Sequence, residues 1–218
     1  MNDIYVYGCG GVGRELAANL IVSEEFNLAG FIVDDTELDS CMGVKITTIE
    51  ELVKTRRSED YSVVISCGEP VYRRELSERL KRNGINEACV VLSSRFNPCY
   101  SSVGPGTIIH EDAYISVDSK VGKGCLINKG ALVGHDCTVG DYSVLSPRCT
   151  LGGFVSVGEN TFIGSGANIR DRVSIGSNSI IGIGSVVVDD VEDNSVVAGN
   201  PARFIRKNDK GLVFEKKH

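Results

Sequence analysis

The chain has 218 residues, enough for two modest domains with cores of their own. Its net charge of −6 and pI near 5.2 argue against a sequence-independent nucleic-acid binder, which needs a basic face. It has no apolar run of roughly eighteen residues and no basic segment leading into an apolar one, so the chain reads as cytoplasmic, with no membrane contact.

The first predicted strand, Ile4 to Tyr7, runs into Gly8-Cys9-Gly10-Gly11-Val12-Gly13 and a helix from Arg14 to Ile21. A second strand, Leu28 to Val33, ends at Asp34 and Asp35. A Gly-x-Gly-x-x-Gly turn between strand and helix lets the backbone approach a pyrophosphate, and the helix N-terminus offers it N–H donors. An acid after the second strand suits a ribose hydroxyl or a base. A helix from Ile49 to Lys54 enters through Thr47 or Thr48 with an acid three residues on, a capping box. A strand from Tyr61 to Ser66, a helix from Tyr72 to Arg82 stopped by Asn83-Gly84, and a strand from Ala88 to Leu92 complete the alternation. The pattern predicts a small Rossmann-like α/β domain with a parallel sheet over residues 1–92. That length holds one mononucleotide half, not two, which argues against a nicotinamide dehydrogenase.

After a joint at 93–102, the chain divides into fourteen hexads from Val103 to Val186 without a single shift. Every first position is aliphatic, from Val103 and Ile109 through Val133, Val139 and Leu145 to Ile181. Every fifth position is small or β-branched, and glycine follows the aliphatic residue in nine of the fourteen. One aliphatic residue in six fits neither a helix nor a meandering sheet. It fits a parallel β-coil over residues 103–200: the aliphatic residue fills the interior, the small one sits beside it, and glycine relieves the corner. Cys125, Cys137 and Cys149 occupy small interior slots twelve apart, and no Cys-x-x-Cys is present, so they read as buried reduced thiols. Beyond the coil come an acidic stretch at 189–193, a turn at Gly199–Arg203, and a tail, within 201–218, expected to be exposed and partly disordered.

On these hexads the chain resembles the hexapeptide-repeat acyltransferases, whose fold is a left-handed β-helix of triangular section with three hexads to a coil. With the short nucleotide-type domain in front, the resemblance extends from Ile4 to Arg203. It is to the N-acetyltransferases of UDP- or dTDP-linked amino-deoxy sugars used in bacterial surface glycans, and to the related sialic acid O-acetyltransferases. It implies that Gly10, Gly11, Asp34 and Asp35 contact the nucleotide of the acceptor. Val12 stands where such members often carry histidine, and its side chain cannot hydrogen-bond, which leaves room for a different sugar or nucleotide preference. It implies a homotrimer with acetyl-CoA in the cleft between neighbouring coils, contacted at Ser165 and Ile183, in one register column with Pro147.

Val133-Gly134-His135-Asp136-Cys137-Thr138-Val139-Gly140 carries the family's His-acid-Cys-x-x-Gly motif. Acyl transfer from a thioester needs a base that is neutral near pH 7, which histidine supplies. The resemblance makes His135 that base and Asp136 the acid that raises its basicity. Three hexads to a coil put Gly153 one turn beyond His135, with no side chain to fill the space and a backbone N–H suited to an oxyanion. Asn128 is a candidate acceptor contact, or a stacking or capping residue. The three-histidine metal enzymes that share this coil are disfavoured, because His110 and His135 are out of register. The remaining alternative is a non-catalytic, nucleotide-sensing β-helix scaffold.

Overall fold

The computed structural model describes residues 2–34 and 37–214. The N-terminal sheet grows around its most apolar strand. β1 (Asn2–Tyr7) buries Ile4, Tyr5, Val6 and Tyr7 and pairs in parallel with β2 (Phe26–Ile32) and β5 (Tyr61–Ile65). β3 (Ser40–Cys41) and β4 (Val44–Thr47) give the order β3-β4-β2-β1-β5. These two form a hairpin that the sequence reading lacks. Its turn is Met42-Gly43, both at positive φ, where a hairpin usually announces itself with Asn-Gly.

α1 (Gly11–Ile21) begins at Gly11 rather than Arg14, because the Arg14 N–H already donates to the Gly10 carbonyl. α2 (Ile49–Thr55) starts at Thr48, whose hydroxyl accepts the Glu51 N–H at 3.2 Å. α3 (Pro70–Arg82) starts two residues before Tyr72, on a proline suited to the first helical position. β6 (Val90–Val91), expected in the N-terminal sheet, pairs instead with Ile108–Ile109 of the coil.

The hexads stack in parallel at steps of eighteen residues, as in Ser102–Lys120–Thr138–Ser156–Ser174, and form the three sides of a β-helix. The corner turns at the fourth hexad position, not at the glycine in the second. All fourteen fourth positions, Gly106 to Gly184, have φ between 51° and 70°, nine of them non-glycine. Glycine is needed at the second position for a different reason. A Cβ on Gly104, Gly140 or Gly158 would lie 2.5 Å from a backbone nitrogen of the next coil. Fifth-position side chains bridge the coils from inside. Thr107, Ser119 and Ser143 donate to carbonyls fifteen residues on, at 2.7–2.8 Å, and Cys125 and Cys137 do the same through sulfur. The thiols therefore stand in for hydroxyls in a ladder. All eight cysteines are free, and burial pushes Cys125 and Cys149 up to about 12.

One side of the triangle differs from the others. Just before each interior aliphatic residue it places Ile108, Leu126, Val144, Phe162 and Ile180, where the first side has Lys120, Thr138, Ser156 and Ser174. Ile108, Leu126, Val144 and Phe162 of this stripe cluster with Leu16, Ala17 and Leu20 of α1, so the N-terminal domain lies on that side. Arg73 of α3, fully buried, fastens the joint. Its guanidinium donates to the carbonyls of Ile65 and Cys67 in the N-terminal domain and of Gly124 and Cys125 in the coil, at 2.6–3.3 Å.

Residues 201–207, assigned to the tail from sequence, belong to a hairpin: Ala202–Lys207 pairs antiparallel with Ser195–Gly199. The chain then returns to the N-terminal domain, where Val213 and Phe214 meet Glu69. Residues 203–207 are exposed, as expected, but the expectation of a partly disordered tail is corrected for 202–214, which follow a hydrogen-bonded path. No helix among the described residues is long and apolar enough to cross a membrane.

Replacing Arg73 by leucine would leave the carbonyls of Ile65, Cys67 and Gly124 without that donor at a buried joint, while Cys125 keeps the Ile108 N–H. The expected cost is at least about 3 kcal/mol in urea unfolding. A loss below about 1 kcal/mol would show that water takes over those carbonyls.

Candidate functional site

Chain order places the first cleft. β1 continues through α1 to β2 on one side, and the chain later crosses to β5 on the other, so the strand order reverses between β1 and β5. Ligands of open α/β sheets bind at such a reversal, beyond the carboxyl ends of the strands. A cleft of about 590 Å³ lies there, lined by Tyr7, Gly10, Gly11, Asp34, Ser66 and Gly68 among others. Gly8 takes φ +105°, and a Cβ on Gly13 would overlap the Gly8 carbonyl, so the glycine spacing closes helix on strand. No side chain caps α1, which leaves its first N–H groups open to an anion.

Of the two acids predicted for this cleft, Asp35 lies outside the described residues. Asp34 is present, but part of its capacity is engaged. Its Oδ1 accepts from the Tyr7 hydroxyl and from Arg79, each at 2.6 Å, and Arg79 also reaches Glu50 at 2.9 Å. Burial raises the Tyr7 phenol well above its usual range, and the Asp34 carboxylate raises it further. The phenol therefore stays a donor to Asp34.

His135, Asp136 and Gly153 meet at a corner of the coil. Asp136 takes the left-handed conformation of its hexad position, φ 57°, which turns its carboxylate back to His135. Its Oδ2 lies 2.8 Å from His135 Nδ1. A carboxylate only accepts, so Nδ1 carries the proton and Nε2 of the neutral ring keeps its lone pair. That nitrogen faces the space over Gly153, where a Cβ would come within 2.5 Å of it. The Gly153 N–H has no acceptor among the described residues. Sequence reasoning missed two neighbours. The Phe154 ring stands edge-on to the imidazole with centroids 5.1 Å apart, and the Arg172 guanidinium lies 4.4 Å over Phe154. The signal was available, since Asp136, Phe154 and Arg172 are eighteen apart.

Ser165, Ile183 and Asn128 line a second cleft of about 430 Å³, on the side where the N-terminal domain sits. Val12 and Gly68 border both this cleft and the first. Asn128 Oδ1 accepts the Lys129 N–H at 2.8 Å, a local cap that leaves its amide nitrogen available. Within one chain these three residues and His135 belong to different corners of the triangle.

Residues 3–80 match the PglD N-terminal domain model, and residues 118–153 and 154–189 match the model described as bacterial transferase hexapeptide (six repeats). The chain belongs to the hexapeptide-repeat transferases. No curated protein sequence is significantly similar to it. Three solved structures of similar proteins span nearly the whole chain. The acetyltransferase domain of PglB from Neisseria gonorrhoeae, in complex with acetyl coenzyme A, is 29% identical over 94% of this chain and 100% of its own, with a TM-score of 0.82. PerB from Caulobacter crescentus, in complex with CoA and GDP-perosamine, is 27% identical over 94% and 98%, with a TM-score of 0.83. WeeI from Acinetobacter baumannii is 26% identical over 94% and 100%, with a TM-score of 0.80.

In this hexapeptide-repeat transferase, Gly153→Ala is expected to drive the His135 imidazole off its present position. The ring is about half exposed and has room to swing out, so stability should fall by less than about 1 kcal/mol. The imidazole resonances in a histidine NMR spectrum should shift markedly. An unshifted ring would show that Gly153 tolerates a methyl group.

Proposed function

We propose that the protein transfers acetyl from acetyl-CoA to the amino group of a nucleotide-linked amino-deoxy sugar. One observation carries the reading: a histidine with its Nδ1 held by an acid and its Nε2 free, above a glycine kept empty. The neighbours that bind acetyl coenzyme A, or CoA with GDP-perosamine, support the two substrates. His135 Nε2 takes the proton of the attacking amine, and Asp136 stabilises the imidazolium that forms. The Gly153 N–H receives the charge that develops on the thioester oxygen. Gly10 and Gly11 hold the diphosphate through backbone, with Asp34 and Asp35 toward the nucleoside. Asn128 lies on the acceptor's path, while Ser165 and Ile183 contact acetyl-CoA.

His135→Ala should lower kcat by about 10²–10⁴, or roughly 3–5 kcal/mol of barrier. Acetyl-CoA binding should be nearly intact, and the acidic limb of the kcat profile should vanish. Asp136→Asn should give a smaller fall. Steady-state kinetics between pH 5.5 and 9 would decide. Wild-type kcat and an unchanged acidic limb in His135→Ala would place the base elsewhere.

The working form is read as a cytoplasmic homotrimer. The cleft with Ser165 and Ile183 and the His135 corner are separate in one chain, so a pocket that uses both draws on two chains. Tyr114, Val117, Leu132 and Phe154 leave large apolar side chains exposed on the His135 side, which favours a symmetric partner. Light scattering should give three times the chain mass. A stable monomer that transfers acetyl would overturn this.

A further inference from the structure

The residues after the coil follow a defined path. The Asn208 N–H donates to the Asn194 carbonyl and its side-chain amide to the Asn178 carbonyl, each at 2.8 Å, which fixes the chain at the coil's end. The backbone turns at Gly211, φ +67°, against Val71. The Val213 and Phe214 N–H groups then donate to the Glu69 carboxylate at 2.9–3.1 Å. Glu69 is 4% exposed and follows Gly68, which borders both clefts. Two backbone amides on a buried carboxylate are charge-assisted bonds, stronger than ordinary ones. They place the Phe214 ring edge-on to Phe162, centroids 5.5 Å apart, at the mouth of the second cleft and still 60% exposed.

We propose that Phe214 is a specificity-determining wall of the acceptor site, and that Glu69 is the positioning residue that holds it there. The inference rests on the acceptor reading above. A diphosphate on the open N–H groups of α1 directs the rest of its ligand past Val12 and Gly68, the residues common to both clefts. Beyond that point the ligand meets Val12, Leu126, Phe162 and Phe214, an apolar surface on which a sugar can rest its C–H face. Hydroxyl groups turned toward that surface would lose water without gaining a partner, so the wall favours a deoxygenated ring. A ring already half-packed and held through its own backbone loses little freedom when the ligand arrives.

The test compares the full chain with Glu69→Ala, Phe214→Ala, Phe214→Tyr, and a chain ending at Asn208, with and without Glu69→Ala. Acceptor KM and kcat, acetyl-CoA Kd by calorimetry, Tm, and hydrogen exchange at 213–214 are measured. Phe214→Ala, Glu69→Ala and both shortened chains should raise acceptor KM about tenfold, with kcat and acetyl-CoA Kd within about twofold. Phe214→Tyr should keep the wild-type KM, because it keeps the ring. Exchange at 213–214 should accelerate in Glu69→Ala while Tm changes little. The shortened chain carrying Glu69→Ala has no stranded carboxylate to repel the diphosphate. A normal KM in that variant would therefore overturn the wall. So would an unchanged KM in Phe214→Ala, or an equal loss of acetyl-CoA affinity. Unchanged exchange in Glu69→Ala would overturn its positioning role. If the wild type acetylates no nucleotide-linked amino sugar, the acceptor reading itself fails and this assignment falls with it.

Discussion

The close spacing of the coils governs much of what surrounds it. Successive turns approach so nearly that a methyl group at the second hexad position would strike the next backbone, as at Gly104, Gly140 and Gly158. The chain must then bend elsewhere, and it bends at the fourth position, where every residue is left-handed. Four side chains that ordinarily avoid this region, Tyr142, Arg148, Phe154 and Arg172, accept it there beside five Asp and Asn residues that tolerate it. Regular stacking overrides the local preference, because each turn forms its parallel hydrogen bonds only at that spacing. The same geometry makes the candidate active site. Asp136 faces His135 because it sits at a left-handed corner, and Gly153 leaves room because the next turn is so close.

The N-terminal domain joins this rod through one side and one cation. The outward stripe Ile108–Leu126–Val144–Phe162 gives α1 an apolar seat. Arg73 has four carbonyl acceptors rather than a carboxylate, and burial lowers its pKa from the usual guanidinium range. A buried cation held only by carbonyls depends on their full geometry, so both parts of the chain must be in place for it to be satisfied. The joint thereby fixes the glycine-rich loop relative to the coil and brings the two clefts side by side at Val12 and Gly68.

The hexads were legible because an uninterrupted period of six has one structural solution, and the register it set brought Gly153 over His135. The role of glycine in the hexad was misread, since composition does not separate a need for positive φ from a need for closeness. The stripe at Ile108, Leu126, Val144 and Phe162 was also in the sequence, visible only once residues eighteen apart are compared by side of the triangle. The hairpin at 40–47 was hidden by Met42-Gly43, and the end of the chain by its composition. A basic, polar segment reads as a loose tail, yet it is held through its backbone at Val213 and Phe214, which no side-chain pattern reveals.

The hydroxyl and thiol ladder inside the coil has a consequence for how such chains can change length. Thr107, Cys125, Ser143, Thr161 and Ser179 each reach the turn that follows, so every rung is locally complete and repeats its neighbour. An eighteen-residue insertion or deletion would preserve every rung and move all later residues along the axis by about 4.8 Å. The rod is thus a ruler graduated in turns, indifferent to its own length. Glu69 is not on that scale, because it belongs to the domain seated on the first turns. The number of turns therefore determines whether Asn208 leaves the rod within six residues' reach of Glu69. A lineage that gained or lost one turn would keep its fold and lose the register between the two ends of its own chain.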